Sequence, residues 1–125
     1  MIVKQIRLSN RAKDKLSRLK AKTGIKNWNV LSRWALCYSL SEGTVPTDVE
    51  VESDSNVEMD WHTFGGEYSD VYEIAMIQWC IDNGIQPTKE NVAKYFKLHL
   101  ERGIGYLSGT NFIKTIDDLL DLVEA

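Results

Sequence analysis

The chain has 125 residues, of which 43% are hydrophobic and 26% charged, enough for one domain with a real core and too apolar for a disordered protein. No apolar run approaches the ~18 residues needed to span a bilayer, and the opening MIVKQIRLSN lacks an apolar secretory core, so export and membrane insertion are not expected. The net charge of −3 hides a strong asymmetry. Residues 1–33 carry ten Lys/Arg and one acid, residues 34–88 carry eleven acids and no Lys/Arg, and residues 89–125 are nearly balanced. A basic head of this kind is a candidate phosphate-binding footprint, or else a solvated helix.

Residues 2–8, IVKQIRL, read as a short strand with Ile2, Ile6 and Leu8 on one face and Val3, Gln5 and Arg7 on the other. Ser9 or Asn10 caps a helix to about Lys22, with Ala12, Leu16, Leu19 and Thr23 as its apolar stripe and Gly24 as its stop. Asn27 caps a second helix, Trp28 to Glu42, whose apolar face is Val30, Leu31, Trp34, Cys37, Tyr38 and Leu40. Residues 44–66 allow two readings, a small hairpin around Ser53–Asn56 or an acidic loop. Tyr68 to Asn83 is helical and apolar on nearly every side, the pattern of a central core helix or of an oligomer interface. Thr88 caps a fourth helix from Lys89 to about Arg102, broken by Gly103 and Gly105. A last helix runs from Ser108 or Thr110 to Val123, with Phe112, Ile113, Ile116, Leu119, Leu120 and Val123 inward. The expected fold is mainly α: a single domain with a short N-terminal strand, divided into a basic part (1–42) and an acidic segment with C-terminal helices (43–125).

Strand–helix–helix over the first 42 residues is the pattern of ribbon-helix-helix proteins. In those the strand pairs with its copy from a second chain, because a lone strand leaves its backbone groups unsatisfied. Such a ribbon reads a major groove with its outward side chains, here Val3, Gln5 and Arg7. The basic helix is more informative. Arg11, Lys15, Arg18 and Lys22 fall at i, i+4, i+7 and i+11 and form one row, with Lys13 and Lys20 on the opposite flank of the apolar stripe. Like charges at i, i+4 cost a few tenths of a kcal/mol per pair, and only Asp14 is near enough in sequence to relieve them. The row therefore suits contact with phosphates, which position a protein on a duplex without reading its bases. The expected DNA contacts are Lys4, Arg7, Arg11, Lys15, Arg18 and Lys22, with Lys13, Lys20 and Lys26 next.

The stretch IRLSNRAKDKLSRLKAKTGIKNWNVLSRWALCYSLSE resembles the DndE family of bacterial DNA phosphorothioation (DNA sulfur modification), and the acidic stretch, the GGEY segment and the helical C-terminal half fit the same family. The resemblance implies a ribbon-helix-helix-like fold, a homo-oligomer read as a tetramer, and binding of double-stranded DNA, with a preference for nicked duplex, through a lysine-rich surface. In that system sulfur replaces a non-bridging phosphate oxygen. A cysteine desulfurase mobilises the sulfur, and other subunits supply iron–sulfur and ATPase chemistry. The family member is a DNA-engaging accessory subunit that works with those subunits in the cytoplasm.

Sulfur chemistry draws attention to Cys37 and Cys80, but a persulfide carrier needs an accessible thiol of low pKa. Both cysteines lie mid-helix among large apolar residues and are expected to be buried. His62 and His99 have no partner at metal-ligand spacing, and His99 shares a helical face with Tyr95 and Phe96. Gly103-Ile-Gly105 lacks a phosphate-loop pattern. The six acids of Asp48–Asp60 lack the EF-hand order and read first as a solvated acidic loop; placed beside the basic head of a neighbouring chain, they would also steer assembly or limit where DNA lies. Trp28 would stack on an exposed base or pack in the core or an interface. No cofactor, metal or catalytic residue is expected. The alternatives are a ribbon-helix-helix regulator bound to a palindromic operator, and a scaffold subunit whose basic face binds an acidic protein.

Overall fold

The computed structural model describes residues 1–109 and 112–124. Its elements run β1 (Gln5–Arg7), α1 (Asn10–Thr23), α2 (Trp28–Ser41), β2 (Glu58–Asp60), α3 (Trp61–Gly65), α4 (Ser69–Asp82), α5 (Lys89–Leu107) and α6 (Ile116–Glu124). A 3-10 turn at Gly66–Tyr68 joins α3 to α4. The fold is mainly α, as expected.

The strand departs from expectation in its partner. β1 has three residues and pairs antiparallel with β2 of the same chain, with Gln5 opposite Asp60, Ile6 opposite Met59 and Arg7 opposite Glu58. Ile6 and Met59 turn inward together, and the outer residues of both strands are exposed. The need for a second chain to complete a ribbon therefore disappears. The 44–66 hairpin does not form either. Residues 44–57 run as an irregular strap, and the chain then enters β2 and the five-residue helix α3, which sequence reading missed.

Local chemistry explains α1 well. The Ser9 hydroxyl accepts from the Ala12 amide at 3.0 Å, and Gly24 closes the helix in the left-handed region at φ 76°. Ala12, Leu16, Leu19 and Thr23 are all buried, as the periodicity predicts. Asn27 precedes α2 without bonding its side chain as a cap. The buried face of α2 is Leu31, Ser32, Ala35, Leu36 and Ser39, with Trp34, Tyr38 and Leu40 partly buried against the core and Cys37 facing out. Cys80 is buried as expected, but Cys37 is exposed.

The core lies where α2 crosses α5, the most extensive helix–helix contact. α5 does not break at Gly103 or Gly105. It runs on to Leu107, and Gly103 is buried against the backbone of Ala35. A glycine reads locally as a helix breaker but here permits close approach between two helices. Below this crossing Trp61, Phe64 and Phe96 form an aromatic cluster with ring centroids 5.2–5.4 Å apart.

α4 is peripheral rather than central. Among its apolar residues Met76 and Cys80 are buried, whereas Val71, Ile74, Ile77 and Ile81 are exposed. The last helix is shorter than expected and begins at Ile116. Ile113 and Leu119 are buried, while Phe112, Ile116, Leu120 and Val123 face out. Thr110 lies outside the described residues.

Candidate nucleic-acid interface

Burial of the α1 stripe fixes where its cations go. Arg11, Lys15, Arg18 and Lys22 each precede a stripe residue, so they flank it on one side; Lys13 and Lys20 follow stripe residues and flank it on the other. The first flank borders α5, where the Lys15 ammonium lies above Gly105. Arg11 and Lys15 also edge a cleft of about 570 Å³ between α1, α5 and residues 46–54. Arg11 and Arg18 are exposed, and Lys15 and Lys22 are partly covered. Among the described residues none of these four has a carboxylate within 4.0 Å. Asp14, the expected local relief, lies on the outer crest and pairs with none of them.

The second flank is already engaged. Lys13 Nζ donates to Asn56 Oδ1 at 2.6 Å. Lys20 Nζ sits 3.3 Å from the centroid of the Trp28 ring, a cation–π contact. Desolvation there lowers the Lys20 pKa. Trp28 is half-buried, with its ring under this ammonium. Arg7 is also spent: it bonds Glu58 at 2.9 Å and the Ser55 carbonyl at 3.3 Å. Lys4 and Lys26 are exposed at the two ends of the basic head. Among the described residues the nine expected contacts thus divide into six cations without a side-chain hydrogen bond or ion pair and three, Arg7, Lys13 and Lys20, held by neighbours.

Sequence reading missed the groups that do the holding. Asp54, Asn56 and Glu58 alternate along the strap and reach Asn10, Lys13 and Arg7 in turn. The acidic character of this segment was visible in the sequence, but its destination on the same chain's basic head was not. Farther along, Arg102 bonds Ser39 and Thr44, and Arg33 bonds the Phe64 carbonyl at 3.0 Å, so these two arginines serve the fold.

Burial sets the state of the cysteines and of one histidine. Burial pushes the Cys80 thiol up, and desolvation raises Cys37 against the opposing charge of Arg33, so neither is a thiolate at neutral pH. His99 is buried, bonded to the Ser39 hydroxyl at 2.8 Å, and desolvation brings its pKa down to about 4. His62 is exposed on α3. Among the described residues no three His, Cys, Asp or Glu side chains are grouped to hold a metal ion. No described helix is long and apolar enough to cross a membrane.

The geometry is thus that of a small helical domain presenting a line of cations with no carboxylate within 4.0 Å among the described residues. The model of the DndE family, DNA sulphur modification protein DndE, matches residues 5–115, and the chain belongs to that family. A crystal structure of DndE from Escherichia coli B7A, involved in DNA phosphorothioation modification, superposes with a TM-score of 0.71 at 26% identity, covering 86% of this chain and 98% of that one. The structure of a mutant DndE, also involved in DNA phosphorothioation, has the same fold, with a TM-score of 0.66 at 20% identity over 86% of this chain and 100% of that one. No curated protein matches this chain.

Proposed function

We propose that this chain is the non-catalytic, DNA-engaging accessory subunit of a DNA phosphorothioation system, acting in the cytoplasm with the other subunits of that machinery. It binds duplex DNA, nicked duplex included, through backbone phosphates, and it works as a homo-oligomer, a tetramer. The observation that carries this reading is the α1 row. Arg11, Lys15, Arg18 and Lys22 stand in line with no carboxylate within 4.0 Å among the described residues, a like-charge arrangement that phosphates relieve. Lys4 and Lys26 extend the line at either end. Membership of a DNA sulphur modification family supports DNA as the polyanion. The exposed apolar face of α4 supports self-association.

The regulator alternative is weakened by β1, which has three residues, an in-chain partner and an outward Arg7 tied to Glu58. The test is DNA binding by the purified protein, titrated against salt on intact, nicked and unrelated duplexes. About four to six phosphate contacts give a log–log slope of roughly −4 to −5. A slope of that size, indifferent to sequence and flattened by Lys15→Ala with Lys22→Ala, supports the proposal. Binding confined to one operator would make the protein a regulator. Absence of binding at moderate salt would turn the basic face toward an acidic protein.

A further inference from the structure

The strap between α2 and β2 lies on the basic head of its own chain rather than of a neighbour. Its buried residues are few: Pro46, the polar Ser55 and Val57, the last two also tied to Leu8 by backbone hydrogen bonds, while Thr47–Glu50 and Glu52–Asp54 are exposed. Polar tethers do the rest. Lys94 holds Asp48 at 2.7 Å, and Lys97 holds the Ser53 hydroxyl. Asp54 accepts from the Asn10 amide at 2.8 Å and from the Asn10 side chain at 3.2 Å. Glu58 takes Arg7 at 2.9 Å. The strap thus lays a line of carboxylates and amide oxygens along the edge of the face assigned to DNA.

Two features make this more than a packed loop. First, α1 has no acid of its own in its first turn, and Asp54 brings one from 44 residues away. Second, the tethers are surface ion pairs and hydrogen bonds, which are individually weak and screened by salt. A dense line of phosphates competes well for the Arg7 and Lys13 side chains against such bonds, even though the buried Val57 and Met59 hold the backbone at this end of the strap.

We propose that the acidic strap, with Glu58 at the start of β2, is an internal competitor of the DNA backbone whose side chains hold Arg7 and Lys13 back and weaken DNA binding until they are displaced from them. The inference rests on the DNA-binding reading above and adds a built-in brake to it. In the free chain six cations are available. Release of Arg7 from Glu58, and of Lys13 from Asn56, lets up to two more cations neutralise phosphates, Lys13 from the flank of α1 opposite the free row.

The experiment measures salt-dependent binding of a duplex oligonucleotide by wild type, by Glu58→Gln and by Asp54→Asn with Glu58→Gln. Glu67→Gln with Asp70→Asn, two exposed acids away from the strap, matches the change in net charge. The strap variants should bind roughly three- to tenfold tighter than wild type, with a slope steeper by about 1 for each additional phosphate neutralised. The matched variant should show neither change. In an Arg7→Ala background Glu58→Gln should lose its effect, because the cation it frees is gone. If wild type binds and the strap variants behave like it, or like the matched variant, the brake is refuted while DNA binding stands. If no form binds DNA, the DNA-binding reading falls and the brake with it. Amide exchange at Ser55, whose N–H bonds the Leu8 carbonyl at 3.1 Å, gives a readout on the unmodified protein. DNA should accelerate exchange at Ser55 and its strap neighbours, and protection of them by DNA would overturn the proposal.

Discussion

Gly103 of α5 lies directly on the backbone of Ala35 in α2. A Cβ placed on Gly103 would stand 1.9 Å from the Ala35 carbonyl oxygen and 2.5 Å from its carbon. No side-chain rotation relieves such a clash, so the helices themselves must separate. Gly103→Ala should therefore destabilise the domain by about 3 kcal/mol or more, lowering the melting temperature by roughly 10 °C. Gly105→Ala is the contrast. Its nearest neighbour is the Lys15 ammonium at 3.7 Å, an ordinary contact with a flexible group, and alanine favours the helix by up to about 1 kcal/mol. That variant should melt at or above wild type. Thermal unfolding of the two proteins side by side checks both outcomes.

These two glycines show what the sequence could and could not convey. α1 was legible throughout, because its cap, its stop and its apolar stripe are local features. The row of Arg11, Lys15, Arg18 and Lys22 followed from helical spacing alone. Gly103 was misread because the reason for it lies 68 residues away on another helix. The partner of β1 was misassigned for the same reason: Glu58–Asp60 is distant in sequence and too short to announce itself. Trp61, almost fully buried, sits on a helix of only five residues, below the length at which periodicity speaks. In α4 the apolar pattern was visible, but not which residues the fold would leave uncovered.

The buried histidine gives the fold a pH dependence. Desolvation, with the Arg102 charge adding to it, lowers His99 from 6.5 to about 4. Arg102 Nε donates to the Ser39 hydroxyl at 2.8 Å, so that hydroxyl is free to donate to His99 Nδ1. Trp79 packs perpendicular to the imidazole at 4.3 Å. Between pH 6.5 and about 4 the unfolded chain takes up a proton that the native chain does not. Stability contributed by His99 is therefore full above 6.5 and falls as the pH drops through this window, by a total of the order of 3 kcal/mol. Glu101 works in the opposite sense, since burial raises its pKa and protonation favours the native state as the pH falls. Urea unfolding of wild type and His99→Phe at pH 7, 6 and 5 separates the two. The difference in stability between the proteins should shift toward the variant on acidification.

The split of the basic residues into free and engaged predicts unequal effects on DNA binding. Arg18 is exposed and, among the described residues, has no carboxylate within 4.0 Å. Arg18→Ala should lower the magnitude of the salt slope by about 1 and weaken binding severalfold at 0.1 M salt. Lys20 rests on Trp28, so Lys20→Ala should leave the slope nearly unchanged. Its cost falls on the fold, about 0.5–1 kcal/mol for the lost cation–π contact. Fluorescence anisotropy with a labelled duplex reads the first effect and chemical denaturation the second. Equal losses of slope in the two variants would contradict the division made by the structure.

Self-association should depend on α4. Val71, Ile74 and Ile81 are 58%, 65% and 52% exposed, and they recur at helical spacing along one side. An apolar stripe of this length is costly to leave in water and marks a contact surface. Ile74→Asp with Ile81→Asp places two charges in that stripe without touching Met76 or Cys80, the buried apolar residues of the same helix. The variant should keep the helical signal of the wild-type fold while its mass by light scattering falls below that of the proposed tetramer. A mass unchanged from wild type would move the interface elsewhere, and the exposed apolar residues of α6, Ile116, Leu120 and Val123, would then take the same two-charge test.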